Sequence, residues 1–168
     1  MPELKILGFE NFDEIVAFDK LCFPTDFWKT EDWEDLLKDE RSIYYAFTEG
    51  EKIIADVFIY NWKGAYDYVK IMNVAVHPDF RGNKFAEKLL DHVTEEMKKE
   101  KMLRFCGETR ASNKAMQKVF EKCGYVLSKI EENYYNNPDE SAYKYILLLK
   151  KKRSQRLRFF HISGTFRI

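Results

Sequence analysis

The stretch IMNVAVHPDFRGNKFAEKLLDHVTEEM, residues 71–97, contains the pattern that decides the fold. Its apolar, β-branched beginning predicts a strand with Val74 and Val76 on one face and Asn73 and Ala75 on the other. The His-Pro-Asp that follows ends the strand, because proline has no backbone donor and favours an extended residue before it. Apolar residues then recur at helical spacing. The stretch therefore predicts a strand, a short turn and an amphipathic helix.

The turn between this strand and this helix has the composition of an anion-binding loop. The first backbone N–H groups of a helix have no internal partner and lie at the positive end of the helix dipole. Gly82 lets an anion approach the backbone closely, and Arg81 and Lys84 add positive charge. The turn can hold a diphosphate, but an ordinary strand–loop–helix unit with a basic loop fits these residues equally well.

Composition and charge limit the class of protein. The 168 residues are 45% hydrophobic and 33% charged, which is typical of one globular domain with a real core. The formal net charge of zero gives no argument for direct nucleic-acid binding. No apolar run approaches the ~20 residues that cross a bilayer, so no membrane partner is expected.

The cysteine and histidine residues indicate the compartment and argue against a metal site. Three cysteines without a framework spacing favour a reduced, cytoplasmic protein. The N-terminus carries acidic residues where a signal peptide would be apolar. The histidines, His77, His92 and His161, are scattered and form no metal-ligand pattern, so no metal is expected.

The rest of the chain alternates strand and helix patterns around the central stretch. The predicted strands are 4–8, 42–48, 52–60, 66–76, 102–109, 125–130 and 141–149, and the predicted helices are 11–23, 30–37, the helix after the turn and 113–122. Thr30 and Ser112 are predicted N-caps, and Gly124 is predicted to end its helix in a left-handed conformation.

The order β-α-α-β-β-β-α-β-α-β-β predicts a mixed α/β (α+β) fold. It is a three-layer arrangement with a central mixed sheet of about seven strands flanked by about four helices. Residues 1–150 are predicted to form a single domain, and 151–168 a basic C-terminal extension without any acidic residue. That extension is either an unstructured end or a basic contact surface for an RNA-rich partner.

The segment VAVHPDFRGNKFAEKLL resembles the acetyl-CoA-binding motif of the GNAT N-acetyltransferases, R/Q-x-x-G-x-G/A after a strand ending V-x-P. The predicted element order is similar to the GNAT fold. The resemblance implies that the strand backbone pairs with pantetheine and that the turn wraps the CoA diphosphate. The implied acetyl-CoA contacts are Val74, Ala75, Val76, Arg81, Gly82, Asn83, Lys84, Phe85, Ala86 and Glu87.

Lys84 departs from this motif, because the family has a central glycine at its position. A lysine in the left-handed conformation costs roughly 1–2 kcal/mol. Either the turn has a different local shape here, or a phosphate contact of Lys84 offsets the strain.

The segment ETRASN, residues 108–113, resembles the E-V-R-x-S-N segment of N-terminal protein acetyltransferases of the bacterial ribosomal-protein alanine type. Residues 133–135, NYY, are similar to the same subfamily. The resemblance implies that Glu108 is the general base and that Asn113 contacts CoA. An α-amino group has a pKa of ~7.7–8, so a carboxylate is a sufficient proton acceptor. The alternative is that Glu108 is a structural carboxylate.

Phe120 stands where the family has its general-acid tyrosine near the thioester, and phenylalanine has no proton to donate. A thiol has a pKa of ~8.5, so CoA can leave without a strong acid. By the same resemblance Phe23, Pro24, Tyr134 and Tyr135 form a narrow acceptor pocket with few polar groups. Plain core packing is the alternative for these aromatic residues.

The sequence therefore predicts an enzyme that takes acetyl-CoA as donor, releases CoA and acetylates an amine. The expected acceptor is the N-terminal α-amino group of a protein such as a ribosomal protein. Two alternatives stay open: acetylation of a small amine such as a polyamine, an aminoglycoside or an amino acid, and a non-catalytic acyl-CoA-binding module. No sequence pattern indicates the oligomeric state.

Overall fold

The computed structural model describes residues 1–64 and 66–151, so the basic extension lies outside the described residues except for its first lysine. The element order predicted from the sequence is confirmed. The strands are β1 (Glu3–Leu7), β2 (Ser42–Glu49), β3 (Lys52–Trp62), β4 (Tyr68–Val76), β5 (Arg104–Arg110), β6 (Val126–Tyr135) and β7 (Glu140–Leu148). The helices are α1 (Phe12–Cys22), α2 (Thr30–Lys38), α3 (Phe85–Lys99) and α4 (Lys114–Lys122), and short 3-10 turns precede α1 and α3.

The seven strands form one mixed sheet in the order β1-β2-β3-β4-β5-β7-β6. All neighbours are antiparallel except β4 and β5, which run parallel. A parallel pair needs a crossover connection, and α3 provides it. Because β7 inserts between β5 and β6, the last hairpin enters the sheet with its second strand inward. None of the helices described is long and apolar enough to cross a membrane.

Two apolar clusters, one on each face of the sheet, make the three-layer arrangement. The first contains the stripe of α3 with Leu89, Leu90 and Val93, all fully buried, as the sequence predicts. The second packs α1 and α2 against the first half of the sheet, around the buried rings of Trp33 and Phe58. Helices α1 and α2 thus cover β2, β3 and β4, while the same face of β5, β7 and β6 contacts neither helix closely.

Strands β4 and β5 separate soon after they begin to pair. Their parallel register contains only two pairs, Val69 with Phe105 and Lys70 with Cys106. One residue further along, β4 has a bulge, since Ile59 of β3 pairs with Ile71 while the preceding Phe58 pairs with Asn73. A bulge bends its strand and increases the local twist. The bend opens a gap in the centre of the sheet, and this gap positions the candidate site.

Both predicted N-caps are wrong. Thr30 is the first residue of α2, its N-cap is Lys29, and no side chain caps the helix. Helix α4 is capped by Asn113, whose side chain accepts from the N–H of Met116, while the backbone N–H of Ser112 donates to the side chain of Glu140. Each predicted N-cap lies one position away from the observed one, and helix ends are commonly uncertain by one or two residues.

The predicted end of β6 at residue 130 is also wrong, since the strand continues to Tyr135. The register between β6 and β7 shifts between Glu131 and Tyr135, where Asn133 has a positive φ of 53°. Such an irregularity interrupts the alternation that identifies a strand in a sequence. The two tyrosines predicted between the last strands therefore lie at the end of β6.

Candidate active site

The turn before α3 contains two left-handed residues, one of which is the lysine at the glycine position of the motif. Lys84 has φ 60° and ψ 26°, and Gly82 has φ 82°. The strain of a left-handed lysine, roughly 1–2 kcal/mol, is therefore present in the fold.

Side chains of the turn hold its own backbone and leave the start of α3 open. Asn83 donates from Nδ2 to the carbonyl of Phe80 at 2.9 Å, and Arg81 donates from Nε to the carbonyl of Val76 at 3.3 Å. The first N–H groups of α3, which have no intrahelical partner, belong to Phe85, Ala86 and Glu87. The turn thus combines free N–H groups with exposed positive charge, which suits an anionic group.

The edge of β4 that faces the gap keeps backbone groups unpaired. The N–H of Ala75 donates towards β3, to Oδ1 of Asp56 at 2.9 Å, and the N–H of His77 donates to the carbonyl of Ile54 at 2.8 Å. Backbone groups alternate in direction along a strand. Those of Val74 and Val76 therefore face the gap. An extended ligand can pair there with the groups of Val74 and with the N–H of Val76, whose carbonyl already accepts from Nε of Arg81.

A cleft of about 360 Å³ occupies the gap between β4 and β5. It is lined by both strands, by the loop between α1 and α2, by α4 and by the end of β6. The predicted site residues that line it are Phe23, Val74, Glu108, Asn113, Phe120 and Tyr135. Pro24 is exposed and does not line this cleft. The structure thus brings together residues that are more than 100 positions apart.

Glu108 is partly exposed in this cleft, with 22% of its side chain accessible. The hydroxyl of Tyr134 donates to Oε1 of Glu108 at 2.6 Å. Nζ of Lys70 lies 3.9 Å from Oε1, and Nζ of Lys144 lies 3.8 Å from Oε2. The hydrogen bond to Glu108, together with partial burial, raises the pKa of Tyr134 above its usual value. Tyr134 therefore stays protonated at neutral pH and can remain a donor.

Phe120 forms the apolar floor of the cleft. Its ring is 1% exposed and stacks on Tyr145, with centroids 5.0 Å apart and planes at 15°. On the other side it packs against Gly107, where an added Cβ would lie 2.6 Å from Cζ of the ring. Asn113 beside it accepts from the N–H of Met116 at 3.1 Å through Oδ1, so this oxygen is used to cap α4.

Arg110 ties together the two loops that flank the cleft, a role that sequence reasoning missed. Its Nε and Nη2 donate to the carboxylate of Asp26, in the loop between α1 and α2, at 2.8 and 2.7 Å. Its other bonds go to the turn between β6 and β7: to the carbonyls of Asn136 and Pro138, both at 2.8 Å, and to Glu140 at 3.3 Å. A guanidinium has five N–H donors, and all five are used here.

Asp56, which is fully buried on β3, also escaped the sequence analysis. Besides the N–H of Ala75, its carboxylate accepts from the hydroxyl of Tyr44 and, at 3.5 Å, from Nδ2 of Asn73. Burial raises the pKa of Asp56 to about 7. The only signal in the sequence that could have identified Asp56 is its position as a single acidic residue within the apolar strand β3. Its contacts support β4 at the point where the strand opens.

Comparisons with known proteins identify the family of this chain. Residues 10–125 match the acetyltransferase (GNAT) family model. The ribosomal protein bS18-alanine N-acetyltransferase of Escherichia coli is 29% identical over 100 residues, which are 60% of this chain and 66% of that protein. A Bacillus subtilis protein that carries the same name provisionally is 25% identical over 133 residues, 79% of this chain and 86% of its own length.

The fold itself has close relatives among solved structures. The crystal structure of the ribosomal-protein-S18-alanine N-acetyltransferase from Escherichia coli superposes with a TM-score of 0.81 at 22% identity. The superposition covers 92% of this chain and 98% of that one. The expected mixed sheet and helix layers are thereby confirmed. The chain belongs to the GNAT family of acetyltransferases, acyltransferases whose acetyl donor is acetyl-CoA.

Proposed function

We propose that this enzyme transfers an acetyl group from acetyl-CoA to the N-terminal α-amino group of a protein, and that a ribosomal protein is its acceptor. The observation that carries the proposal is the position of Glu108. Its carboxylate lies in the cleft where β4 and β5 part, beside the open edge of β4. The names of the two bS18-alanine N-acetyltransferase relatives support the choice of acceptor.

Acetyl-CoA would be held along β4 and at the start of α3. The backbone groups of Val74 and the N–H of Val76 suit the amides of pantetheine, and the N–H groups at the start of α3 suit the diphosphate. Arg81 and Lys84 add charge at the exposed side of the same turn. Asn113 and Phe120 border the cleft where the thioester would lie.

The acceptor would enter between the loops that Arg110 joins. The walls there include the rings of Phe23 and Tyr135, and charged groups such as Glu108 and Arg110 lie among them, so the predicted scarcity of polar groups is wrong. A chain end that carries an amine and backbone amides can bond such a mixed wall. The proposal therefore assigns substrate contacts to Phe23, Tyr134 and Tyr135, and places Pro24 on the outer side of the same loop.

Glu108 would accept the proton that the amine loses as its nitrogen attacks the thioester carbonyl. A C–N bond forms, the C–S bond breaks, and the departing thiolate takes up a proton to give CoA. Phe120 cannot supply that proton. Tyr134 has a protonated hydroxyl already bonded to Glu108. It is our candidate for returning the proton to sulfur.

The test is acetyl-CoA turnover against a panel of acceptors, followed by mass spectrometry. The panel contains peptides that begin with Ala, Ser or Met, the same peptides with blocked N-termini, and spermidine. We expect acetylation of a free N-terminus and little reaction with spermidine. Acetylation of spermidine alone would favour the small-amine alternative.

A thermal-shift measurement separates catalysis from binding alone. Acetyl-CoA at 100 times its Kd should stabilise the fold by ~2.7 kcal/mol. Such a shift without turnover of any amine would favour a non-catalytic acyl-CoA-binding module. No shift at millimolar acetyl-CoA would contradict the assignment of the turn as the cofactor site.

A further inference from the structure

Glu108 lies between two lysines that do not form hydrogen bonds with it. Lys70 comes from β4 on one side and Lys144 from β7 on the other, one beside each carboxylate oxygen. The distances of 3.9 and 3.8 Å are too long for hydrogen bonds. The lysines therefore compensate the charge of Glu108, while its lone pairs stay available for an incoming amine and for Tyr134.

The charges around the carboxylate sum to zero. Lys144 also bonds Glu131 of β6 at 2.6 Å, so two carboxylates and two ammonium groups form one compact cluster. The other titratable or charged groups that face Glu108 or border this cluster are Cys106, Arg110, Lys129, Tyr134 and Tyr135. Arg110 is compensated in turn by Asp26 and Glu140. Lys129 adds one positive charge beside Glu131, and Asp26 with Glu140 exceeds Arg110 by one negative charge, so these groups balance. Asp19 also lines the cleft, where it accepts from the N–H groups of Trp28 and Trp33. An ammonium ion beside Glu108 thus meets no net negative charge from this set of groups.

This neutrality matters because an amine attacks a thioester only in its neutral form. At about pH 7.5 roughly a third of an α-amino group is neutral, against about 0.1% of a lysine side chain. An uncompensated carboxylate would attract the charged form and hold it in an unreactive state. A carboxylate flanked by two lysines gives the charged form no such advantage.

We propose that Lys70 and Lys144 are specificity-determining residues that make the site select amines of low pKa, which are free chain N-termini rather than lysine side chains or polyamines. The inference rests on the proposed function and names the physical basis of its acceptor choice. Both lysines are partly exposed, at 38% and 31% of their side chains, so each can also meet the charge of an acceptor directly.

The test replaces both lysines by methionine, which keeps the length of the side chain and removes its charge. Lys118→Met on α4 is the matched control, because Lys118 is exposed and lies outside this cluster. The acceptors are a peptide with a free N-terminal alanine, the same peptide blocked at its N-terminus and carrying one lysine, and spermidine.

In the double variant we expect kcat/KM for the lysine peptide and for spermidine to rise about tenfold relative to the N-terminal peptide, since each exposed charge changes binding by a few-fold. The pH profile for the N-terminal peptide should move to higher pH, because more of the bound amine is charged. Lys70→Arg and Lys144→Arg should keep the wild-type selectivity. Lys118→Met should leave both the ratio of kcat/KM between the acceptors and the pH profile unchanged.

The contrary outcomes are distinct. An unchanged ratio between the acceptors, or an equal loss for all of them, would refute the selection mechanism while N-terminal acetylation by the wild type still stood. A loss confined to peptides with an acidic second residue would show that the lysines bind an acceptor carboxylate instead. A wild-type enzyme that acetylates no N-terminus would refute the proposed function itself. Melting temperatures of all variants identify any that fail to fold.

Discussion

The two sides of the cleft are built in different ways. The proposed acetyl-CoA turn is made by neighbours in the chain: Asn83 bonds the carbonyl three residues before it, and Arg81 the one five residues before it. The proposed acceptor side is made by distant residues, since Arg110 bonds Asp26 across 84 positions and Pro138 across 28. A local motif thus forms the proposed donor site, whereas the tertiary fold assembles the proposed acceptor site.

Arg81 on the proposed acetyl-CoA side and Arg110 on the proposed acceptor side differ in whether their charge is paired within the protein. Arg81 makes no ion pair with any described residue and points its charge to solvent, where an anionic ligand can reach it. Arg110 is paired on every N–H and only 14% of its side chain is accessible. Arg81 comes shortly after β4 and Arg110 ends β5, and both lie in segments that resemble family motifs, so the sequence alone does not distinguish a ligand-binding arginine from a structural one.

Glu108→Gln should have the largest effect and should affect the acceptor side alone. The glutamine amide can still accept from Tyr134, but it has no basicity, and a general base typically contributes ~10²–10⁴-fold. We expect kcat to fall by about that factor, with partial recovery at high pH as the amine deprotonates unaided. The acetyl-CoA thermal shift should stay unchanged.

Glu132→Gln, an exposed carboxylate on β6, is the control for Glu108→Gln. Steady-state kinetics between about pH 6 and pH 9 covers the range in which an α-amino group titrates. Wild-type kcat in the Glu108 variant over this whole range would show that Glu108 is not the base.

Arg110→Lys tests whether one side chain positions both acceptor loops. Lysine has three donors and no planar fork, so it cannot replace five bonds. We expect KM for the peptide to rise about tenfold or more and stability to fall by about 1–3 kcal/mol. KM for acetyl-CoA should not change.

Arg41→Lys is a matched control for Arg110→Lys, because Arg41 makes the same two-pronged contact with Asp39 on an exposed surface. If KM for peptide and for acetyl-CoA rose together in the Arg110 variant, Arg110 would be a general stabilising residue and not one that positions the acceptor loops.

Asp56 is buried on β3 and bonds β4 at the cleft, and its carboxyl group should make the free energy of unfolding depend on pH. Its folded pKa of about 7 lies above the unfolded value of about 3.9. The folded state therefore holds a proton that the unfolded state releases, and the free energy of unfolding should fall as pH rises from about 4 to about 7. We expect a contribution of up to about 4 kcal/mol, since the shift is about three pKa units and each unit corresponds to about 1.36 kcal/mol.

Asp56→Asn should remove this part of the pH dependence, since the asparagine amide can accept from Ala75 and donate to the hydroxyl of Tyr44. Thermal unfolding across the same pH range measures it. Asp35→Asn, at an exposed position on α2, should leave the profile as it is. A profile identical to wild type in the Asp56 variant would show that another group causes the dependence.

Lys84→Gly should have the smallest effect, with opposite signs for stability and for binding. Glycine adopts the left-handed conformation without strain, so the fold should gain about 1 kcal/mol. Removal of a cation should weaken CoA binding a few-fold at low salt and less at high salt, since salt screens exposed charges.

Lys101→Gly is the control for Lys84→Gly, because Lys101 is also left-handed, with φ 63°, and follows the end of α3 away from the turn. It should gain stability without any change in CoA affinity. Equal CoA binding by the Lys84 variant at all salt concentrations would show that Lys84 has no contact with the phosphates.

The local elements could be predicted because their signals are local. The apolar residues of α3 recur at helical spacing, and all six are buried: Phe85, Ala86, Leu89, Leu90, Val93 and Met97. Gly124 has φ 87° where a helix end needs it. The end of β6 was missed because Asn133 interrupts the alternation with a left-handed residue.

Describing the candidate site required both the local sequence motifs and the tertiary structure. The turn of residues 81–87 was recognisable from its anion-binding chemistry and from its resemblance to the GNAT motif, and the carboxylate at 108 and Tyr134 from the resemblance alone. The contacts of Glu108 were not recognisable, since Lys70, Tyr134 and Lys144 reach it from three other strands. A single sequence does not contain the register that aligns them.

The sequence by itself determined the element order, the two-sided burial of the sheet and the anion-binding turn, because periodicity and turn chemistry depend on residues a few positions apart. Only the tertiary structure decided that β7 enters beside β5, that β4 and β5 part, and that Arg110 joins the acceptor loops. These features depend on which strands pair and in which register. That choice is set by the packing of the whole core, to which residues far apart in the chain contribute together.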